Sequence, residues 1–352
     1  MPKYPLLFEP ILKERLWGGR ALETRFGRRL PEAKMIGESW DLVDRPPDTS
    51  TVRNGPLAGR TLHDLCMDFG PRLLGENAPA PDRFPLIVKL LDANDRLSVQ
   101  IHPTARYVDL HPEAEAAKNE AWYVVEAEPG ATIIQGLRPE VKLDDLRAAM
   151  SSGEIEPLLR SVTVRPGELY YVPAGLIHAL LPGSLMVEIQ QSSDTTFRLY
   201  DWQRAGLDGK PRALHVAEAL EAASTFLADP SLARVDKLAP RTLSAGVELT
   251  GGLECPSFRI EKLALQPGEA ALALDPASFT ILLAVEGAVT VSCPEGAAIR
   301  AKVGEGGTTL VPAGLSIAQI VSERGAGVLR TALPRPEPPR PTWNRPSSTT
   351  TG

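Results

Sequence analysis

Cysteine and histidine are scarce in this chain: three of the first and five of the second among 352 residues, with aromatics at 5%. Cys66, Cys255 and Cys293 have spacings that fit neither a zinc ribbon nor a disulfide framework, which points to thiols in a reducing cytoplasm. No apolar run approaches the ~18 residues of a membrane-spanning helix. The apolar stretch near Met1-Pro2-Lys3-Tyr4-Pro5-Leu6-Leu7-Phe8 is too short for a signal peptide. Charge of one sign is also lacking, with 38 basic against 44 acidic residues and a net −6, so a general nucleic-acid-coating role is excluded. The expectation is a cytoplasmic protein with no membrane and no nucleic-acid partner.

Proline (33) and glycine (29) are abundant and favour turns over long helices. Short β-branched or apolar runs at 84–91, 97–101, 121–126, 131–135, 161–165 and 168–172 read as strands between Pro, Gly and Asp turns. Such spacing suggests a sandwich or barrel. Helical spacing of apolar residues occurs at 61–74, at 143–159 (an excursion between strands) and at 214–226. The tail 334–352 carries six prolines followed by Ser and Thr. It reads as disordered, with Trp343 a candidate local anchor.

The chain repeats itself. Gly167-Glu-Leu-Tyr-Tyr-Val-Pro173-Ala-Gly175-Leu-Ile-His178 returns 139 residues later, without a gap, as Gly306-Gly-Thr-Thr-Leu-Val-Pro312-Ala-Gly314-Leu-Ser-Ile317. A strand entering a Pro-x-Gly turn explains the residue types, because glycine permits positive φ and proline fixes the entry angle. The last position is histidine in one copy and isoleucine in the other. Two related β-domains, one of them able to bind something, is the simplest account.

Each of the five histidines can be weighed as a metal ligand. His63 and His215 fall in predicted helices as structural or surface residues, and His111 sits in a polar, solvated stretch. His102 and His178 differ. In Leu97-Ser98-Val99-Gln100-Ile101-His102-Pro103, a strand would project Gln100 and His102 to one face. A polar pair facing inward is costly unless something satisfies it. In Lys118-Asn119-Glu120-Ala121-Trp122, the same alternation places Lys118, Glu120 and Trp122 together. Gln100, His102, Glu120 and His178 would supply two nitrogens and two oxygens to one divalent cation. That set suits zinc and tolerates iron, manganese or cobalt.

With these residues in view, the chain resembles a known family. Gly-x5-Pro-x-Gly-x2-His is similar to the second motif of the cupin fold, and Gln-x-His followed by a glutamate to a variant of its first. Residues 4–330 resemble a type I mannose-6-phosphate isomerase of the short bacterial kind. The match runs from Pro10 through Trp17-Gly18-Gly19, Ile36-Gly37-Glu38-Ser39-Trp40, Pro85-Leu86-Ile87-Val88-Lys89, the 97–103 segment, Glu120-Ala121-Trp122-Tyr123, Val172-Pro173-Ala174-Gly175 to His178, Glu188-Ile189-Gln190-Gln191-Ser192-Ser193-Asp194 and Arg198-Leu199-Tyr200-Asp201. Asn119 stands where threonine is usual and Phe197 where tyrosine is usual.

The resemblance implies a mainly β fold of two cupin (jelly-roll) domains with a few short helices. The catalytic domain would span 1–230, with its excursion near 143–159, and a degenerate second domain 235–333. It implies a metal-dependent aldose–ketose isomerase that interconverts mannose 6-phosphate and fructose 6-phosphate through an enediol. The metal, one per chain and expected to be zinc, would be held by Gln100, His102, Glu120 and His178. Glu188 matches a family glutamate proposed as the base, and Lys118 is a rival. Arg198 would bind phosphate or stabilise the enediolate. Lys89, Ser98 and Trp17 are substrate-binding candidates. The partner is a small hexose phosphate, and the chain is expected to be a monomer or weak homodimer. The alternatives are a non-catalytic sugar-phosphate-binding bicupin and an iron-dependent cupin oxygenase.

Overall fold

The computed structural model describes residues 2–294 and 299–335. The tail 336–352, including Trp343, lies outside them. The architecture is mainly β with short helices, as expected, and among the described residues no helix is long and apolar enough to cross a membrane. All three cysteines are buried.

The first half of the chain builds two antiparallel sheets. One runs Leu169–Val172, Glu120–Ala127, Ser184–Gln191, Leu86–Ala93, Ile36–Leu42 and Ile11–Gly19 from edge to edge. The other runs Leu159–Thr163, Thr132–Leu137, His178–Leu180, Val99–Ile101 and Phe197–Tyr200. Two further sheets come from the second half, and the larger takes in Leu6–Leu7, which pairs with Thr309 and Leu310.

Period-two patterning explains why the first sheet is buried on both faces. On Leu86–Ala93, Leu86, Val88 and Leu90 join an apolar core that also holds Phe258, Phe279, Ile281 and Leu329 of the second half. Leu185, Val187 and Ile189, with Ala121, belong to that same core. The alternate residues Lys89, Glu188 and Trp122 therefore face away from it. At ~25 cal/mol per Å² of apolar surface, that shared core is the main force holding the two halves together.

The repeat is visible in space. Leu169–Val172 and Thr308–Val311 are strands, each followed by a Pro-x-Gly turn and a second strand that starts at His178 or Ile317. Gly175 and Gly314 both have positive φ, +88° and +77°. At Gly175 a Cβ would also meet Phe226 Cβ at 2.4 Å and Thr104 Cγ2 at 2.6 Å. His178 is fully buried, whereas Ile317 is 44% exposed.

Helices depart from expectation at their ends. The 61–74 pattern is broken into Leu62–Phe69 and Pro71–Leu74 by Gly70, whose φ is +49°. In the 143–159 excursion the α-helix covers only Leu143–Ser152, because Gly153 turns left-handed and caps it, and a short 3-10 turn follows at Glu156–Leu158. The helix expected at 214–226 is Val216–Ala228, so His215 lies just before it. Its Nδ1 accepts from the Arg198 backbone N–H at 3.2 Å. His111 is not simply solvated: it bonds Glu221 at 2.8 Å and stacks on Tyr107. His63 pairs with buried Asp44 at 3.1 Å.

Candidate metal centre and active site

The two sheets of the first half face each other with one polar row apiece. On one, Trp40, Lys89, Glu188 and Trp122 stand directly opposite each other across four neighbouring strands. On the other, Arg198, Gln100, His178 and Gln135 do the same. Directly opposed residues in antiparallel strands share a face, so register alone collects residues far apart in sequence.

His102, Glu120 and His178 lie at the bottom, all buried, with one ligand atom from each within 4.8 Å of the others. Glu120 Oε1 is 3.3 Å from His102 Nε2, and Oε2 is 3.7 Å from His178 Nε2. Both imidazoles have their other nitrogen engaged by backbone: His102 Nδ1 with Thr195 O at 2.9 Å and His178 Nδ1 with Leu176 O at 2.8 Å. A carbonyl accepts only, so each Nδ1 carries the hydrogen and each neutral ring turns an Nε2 lone pair towards Glu120. Burial and the Lys118 charge hold His102 below the usual histidine range. Burial and neighbouring His102 push His178 down to about 3.

Glu120 is the telling residue. Neither of its buried oxygens accepts a hydrogen bond of good geometry. Lys118 Nζ lies 2.7 Å from Oε1 as an ion-pair partner outside the hydrogen-bonding direction. Burial works to raise its pKa, but Lys118 and His102 hold it well below the usual range. An ionised carboxylate with unmet oxygens beside two neutral imidazoles is the donor set of a divalent cation. Gln100 completes the group from its strand. It turns its amide nitrogen to His178 Nε2 at 3.4 Å and its oxygen to Ser98 Oγ at 3.2 Å. A half-turn of that amide would present the oxygen instead. The residues present fit a metal.

A cavity of about 620 Å³ opens above this cluster. Gln100, Glu120, Lys118, Glu188, Lys89, Ser98, Trp17 and Arg198 all line it. Buried His102 and His178 sit behind the wall. Lys118 precedes its strand rather than lying in it, and still reaches Glu120. Glu188 is held by Lys89 at 3.0 Å and by Trp122 Nε1 at 3.0 Å. Burial and the Glu120 charge raise its pKa against the pull of Lys89. Lys89 also donates to Gln190 Oε1 at 2.6 Å and lies over the Trp40 ring. Trp17 is buried against Gly37, where a Cβ would meet its ring at 2.7 Å.

Sequence reasoning missed other members of the wall, among them Arg15, Glu38 and Arg212. Glu38 lay inside a recognised motif without a role. It accepts from Arg15 Nε at 2.9 Å and from Trp40 Nε1. Although burial works the other way, Lys89 and Arg15 hold its carboxyl below the usual range. Arg15 likewise lay inside the matched segment from Pro10 through Gly19 without a role, and Arg212 carried no sequence signal.

Comparison with known proteins places this chain. The family model described as "Phosphomannose isomerase type I, catalytic domain" matches residues 6–132. A putative mannose-6-phosphate isomerase, YvyI, of Bacillus subtilis is 37% identical over 289 residues, covering 82% of this chain and 87% of the relative. The chain belongs to the type I phosphomannose isomerase family. A further family member, the mannose-6-phosphate isomerase of Streptococcus mutans, is 35% identical over 82% of this chain and 87% of its own length. The crystal structure of the mannose 6-phosphate isomerase from Bacillus subtilis superposes with a TM-score of 0.81 at 32% identity, over 93% of this chain and 99% of that one. The family's cupin-type β architecture thus extends through both halves.

Proposed function

We propose that this protein is a metal-dependent aldose–ketose isomerase that interconverts mannose 6-phosphate and fructose 6-phosphate through an enediol. The observation that carries the reading is Glu120. Its ionised, unmet oxygens face two neutral imidazoles in the floor of a cavity that also holds a buried carboxyl, Glu188. A sugar-binding protein needs a cavity but has no use for a proton carrier of raised pKa beside a cation site.

Gln100, His102, Glu120 and His178 would hold the cation, and zinc suits their two nitrogens and two oxygens best. When bound, the metal supplies Lewis-acid polarisation of the substrate's neighbouring C1 and C2 oxygens. Glu188 takes the carbon-bound proton from one of these carbons and returns it to the other, while the hydroxyl proton passes between their two oxygens. Its raised pKa brings a carboxylate closer to the basicity such a transfer needs. Trp122 and Lys89 fix its orientation. Lys118 pairs with Glu120 and lines the cavity, where its ammonium can donate to a substrate oxygen. Arg198 serves the substrate's negative charge, and Ser98 and Trp17 line the sugar's path.

Chemistry is assigned to residues 1–230, and 235–333 is read as a supporting domain. The chain is read as a monomer or weak homodimer. A cytoplasmic setting fits a chain with only three cysteines, all buried. The test is coupled assay of mannose 6-phosphate conversion by wild type and Glu188→Gln. The reading expects activity in the first and loss of at least ~100-fold in the second, the scale of a general-base contribution. Equal rates would remove Glu188 from the mechanism.

A further inference from the structure

Five cationic side chains line the cavity: Arg15, Lys89, Lys118, Arg198 and Arg212. Four have a carboxylate partner. Arg15 has Glu38 at 2.9 Å, Lys89 has Glu188 at 3.0 Å, Lys118 has Glu120 at 2.7 Å, and Arg212 has Asp201 at 2.5 Å. Arg198 makes no ion pair among the described residues. Its Nη1 donates to the Ala213 carbonyl at 2.8 Å, and its buried Nε meets no acceptor. Arginine does not shed its proton, so a half-buried guanidinium without a counter-charge calls for an anion from outside.

The surroundings sharpen this. Burial, then Arg212, then Arg204 work to lower the Arg198 pKa, while Asp201 opposes them. Arg204 and Arg212 both hold Asp201, a buried carboxylate, and Arg204 also reaches Asp95 at 3.4 Å. Of the charged groups that act on Arg198, two are thus cationic, Arg212 and Arg204, and one is anionic, Asp201.

The chain path explains how Arg212 arrives there. After the strand Phe197–Tyr200, the backbone turns through Trp202 and Gln203 with φ of +57° and +54°, conformations that cost non-glycine residues energy. It then makes a small hairpin. Ala205 bridges to Pro211, and the Gly206 N–H donates to Lys210 O at 2.7 Å. The hairpin's Gly206, Leu207 and Asp208 also line the cavity. Asp201 anchors its root, taking Arg212 Nε at 2.6 Å as well as Nη2. Nη1 of Arg212 remains for another partner.

We propose that Arg212 is a phosphate-binding residue acting with Arg198, and that Asp201 is the positioning residue that aims it. The ligand is a phosphate monoester dianion, whose charge and several acceptor oxygens match two guanidinium forks. The identity of the rest of the ligand rests on the isomerase reading above.

The test titrates inorganic phosphate and mannose 6-phosphate into the metal-loaded full chain by calorimetry, for wild type, Arg212→Gln, Arg212→Lys and Asp201→Asn. Steady-state kinetics, metal content and thermal midpoint are measured alongside. Loss of charge-assisted hydrogen bonds should weaken both ligands about 10- to 100-fold in Arg212→Gln. Metal content should be unchanged, and the effect should fall on KM rather than kcat. Asp201→Asn should raise KM in the same way with kcat kept, a split that mere loosening of the fold would not give. Should Arg212→Gln fail to fold, Arg212→Lys keeps a charge for Asp201 and should still bind phosphate more weakly. Wild-type affinity for phosphate in the folded Arg212 variants overturns the proposal. Wild-type protein that binds phosphate through Arg212 yet does not convert mannose 6-phosphate supports the Arg212 assignment and overturns the isomerase reading.

Discussion

Lys89 and Glu188 stand directly opposite each other on neighbouring antiparallel strands, with Nζ 3.0 Å from Oε1 and both side chains buried. The pair holds the proposed proton carrier in place. Removing one partner strands a buried charge, which costs about 3–5 kcal/mol. Lys89→Met should lower stability to unfolding by urea on that scale. The double variant Lys89→Met/Glu188→Gln should recover part of the loss, because the two sites are in contact and do not add. An additive double variant would deny the coupling.

Glu188 should set the acid limb of activity. As the base it must be ionised, so kcat should rise with pH through its pKa, which burial and Glu120 place above the ordinary glutamate value. Trp122 Nε1 donates to its Oε2, a bond that favours the charged form. Trp122→Phe should therefore move the acid limb to higher pH. Its staying put would show that another group sets the limb.

Glu38 has the opposite sign. Its folded pKa is lowered, chiefly by Lys89 and Arg15 against the effect of burial. The stability it contributes is present above the unfolded glutamate pKa and is lost as pH falls through the folded value. Glu38→Gln should be less stable than wild type at neutral pH, with the difference shrinking in acid. Denaturant midpoints measured across that range check the sign.

Metal should stabilise the fold as well as serve the chemistry. Ligand at about 1,000 times Kd adds ~4 kcal/mol if only the folded state binds it. Chelation should lower the wild-type thermal midpoint, and His178→Ala should lower metal content and lose most of this chelator response. An undiminished response would place the metal elsewhere.

The two copies of the repeat should respond differently to the same change. Gly175→Ala places a Cβ at positive φ against Phe226 and Thr104, three residues before His178. It should destabilise by about 1–3 kcal/mol and reduce metal occupancy. Gly314→Ala, also at positive φ, precedes exposed Ile317. It should cost stability while leaving kcat of the folded enzyme intact.

Much of this site was legible because strand alternation is short-range. Gln100 with His102, and Glu120 with Trp122, follow from period two alone, and the repeat isolated His178 by contrast with Ile317. The pairings Lys89–Glu188 and Gln100–His178 depend on register between distant strands, which no local pattern encodes. Resemblance to a family supplied those residues, whereas it gave Arg15 and Arg212 no role. Helix ends were misjudged where one glycine, Gly70 or Gly153, interrupted an otherwise continuous apolar spacing. The entry of Leu6–Leu7 into the far sheet is likewise a long-range event, with no signal in two leucines.

The central claim is best tested by coupled conversion of mannose 6-phosphate to fructose 6-phosphate, before and after chelation and again after zinc is restored. The account predicts activity that chelation abolishes and zinc returns, with neither step unfolding the protein. A folded, zinc-loaded protein that leaves mannose 6-phosphate unchanged, or full activity after complete metal removal, would contradict it.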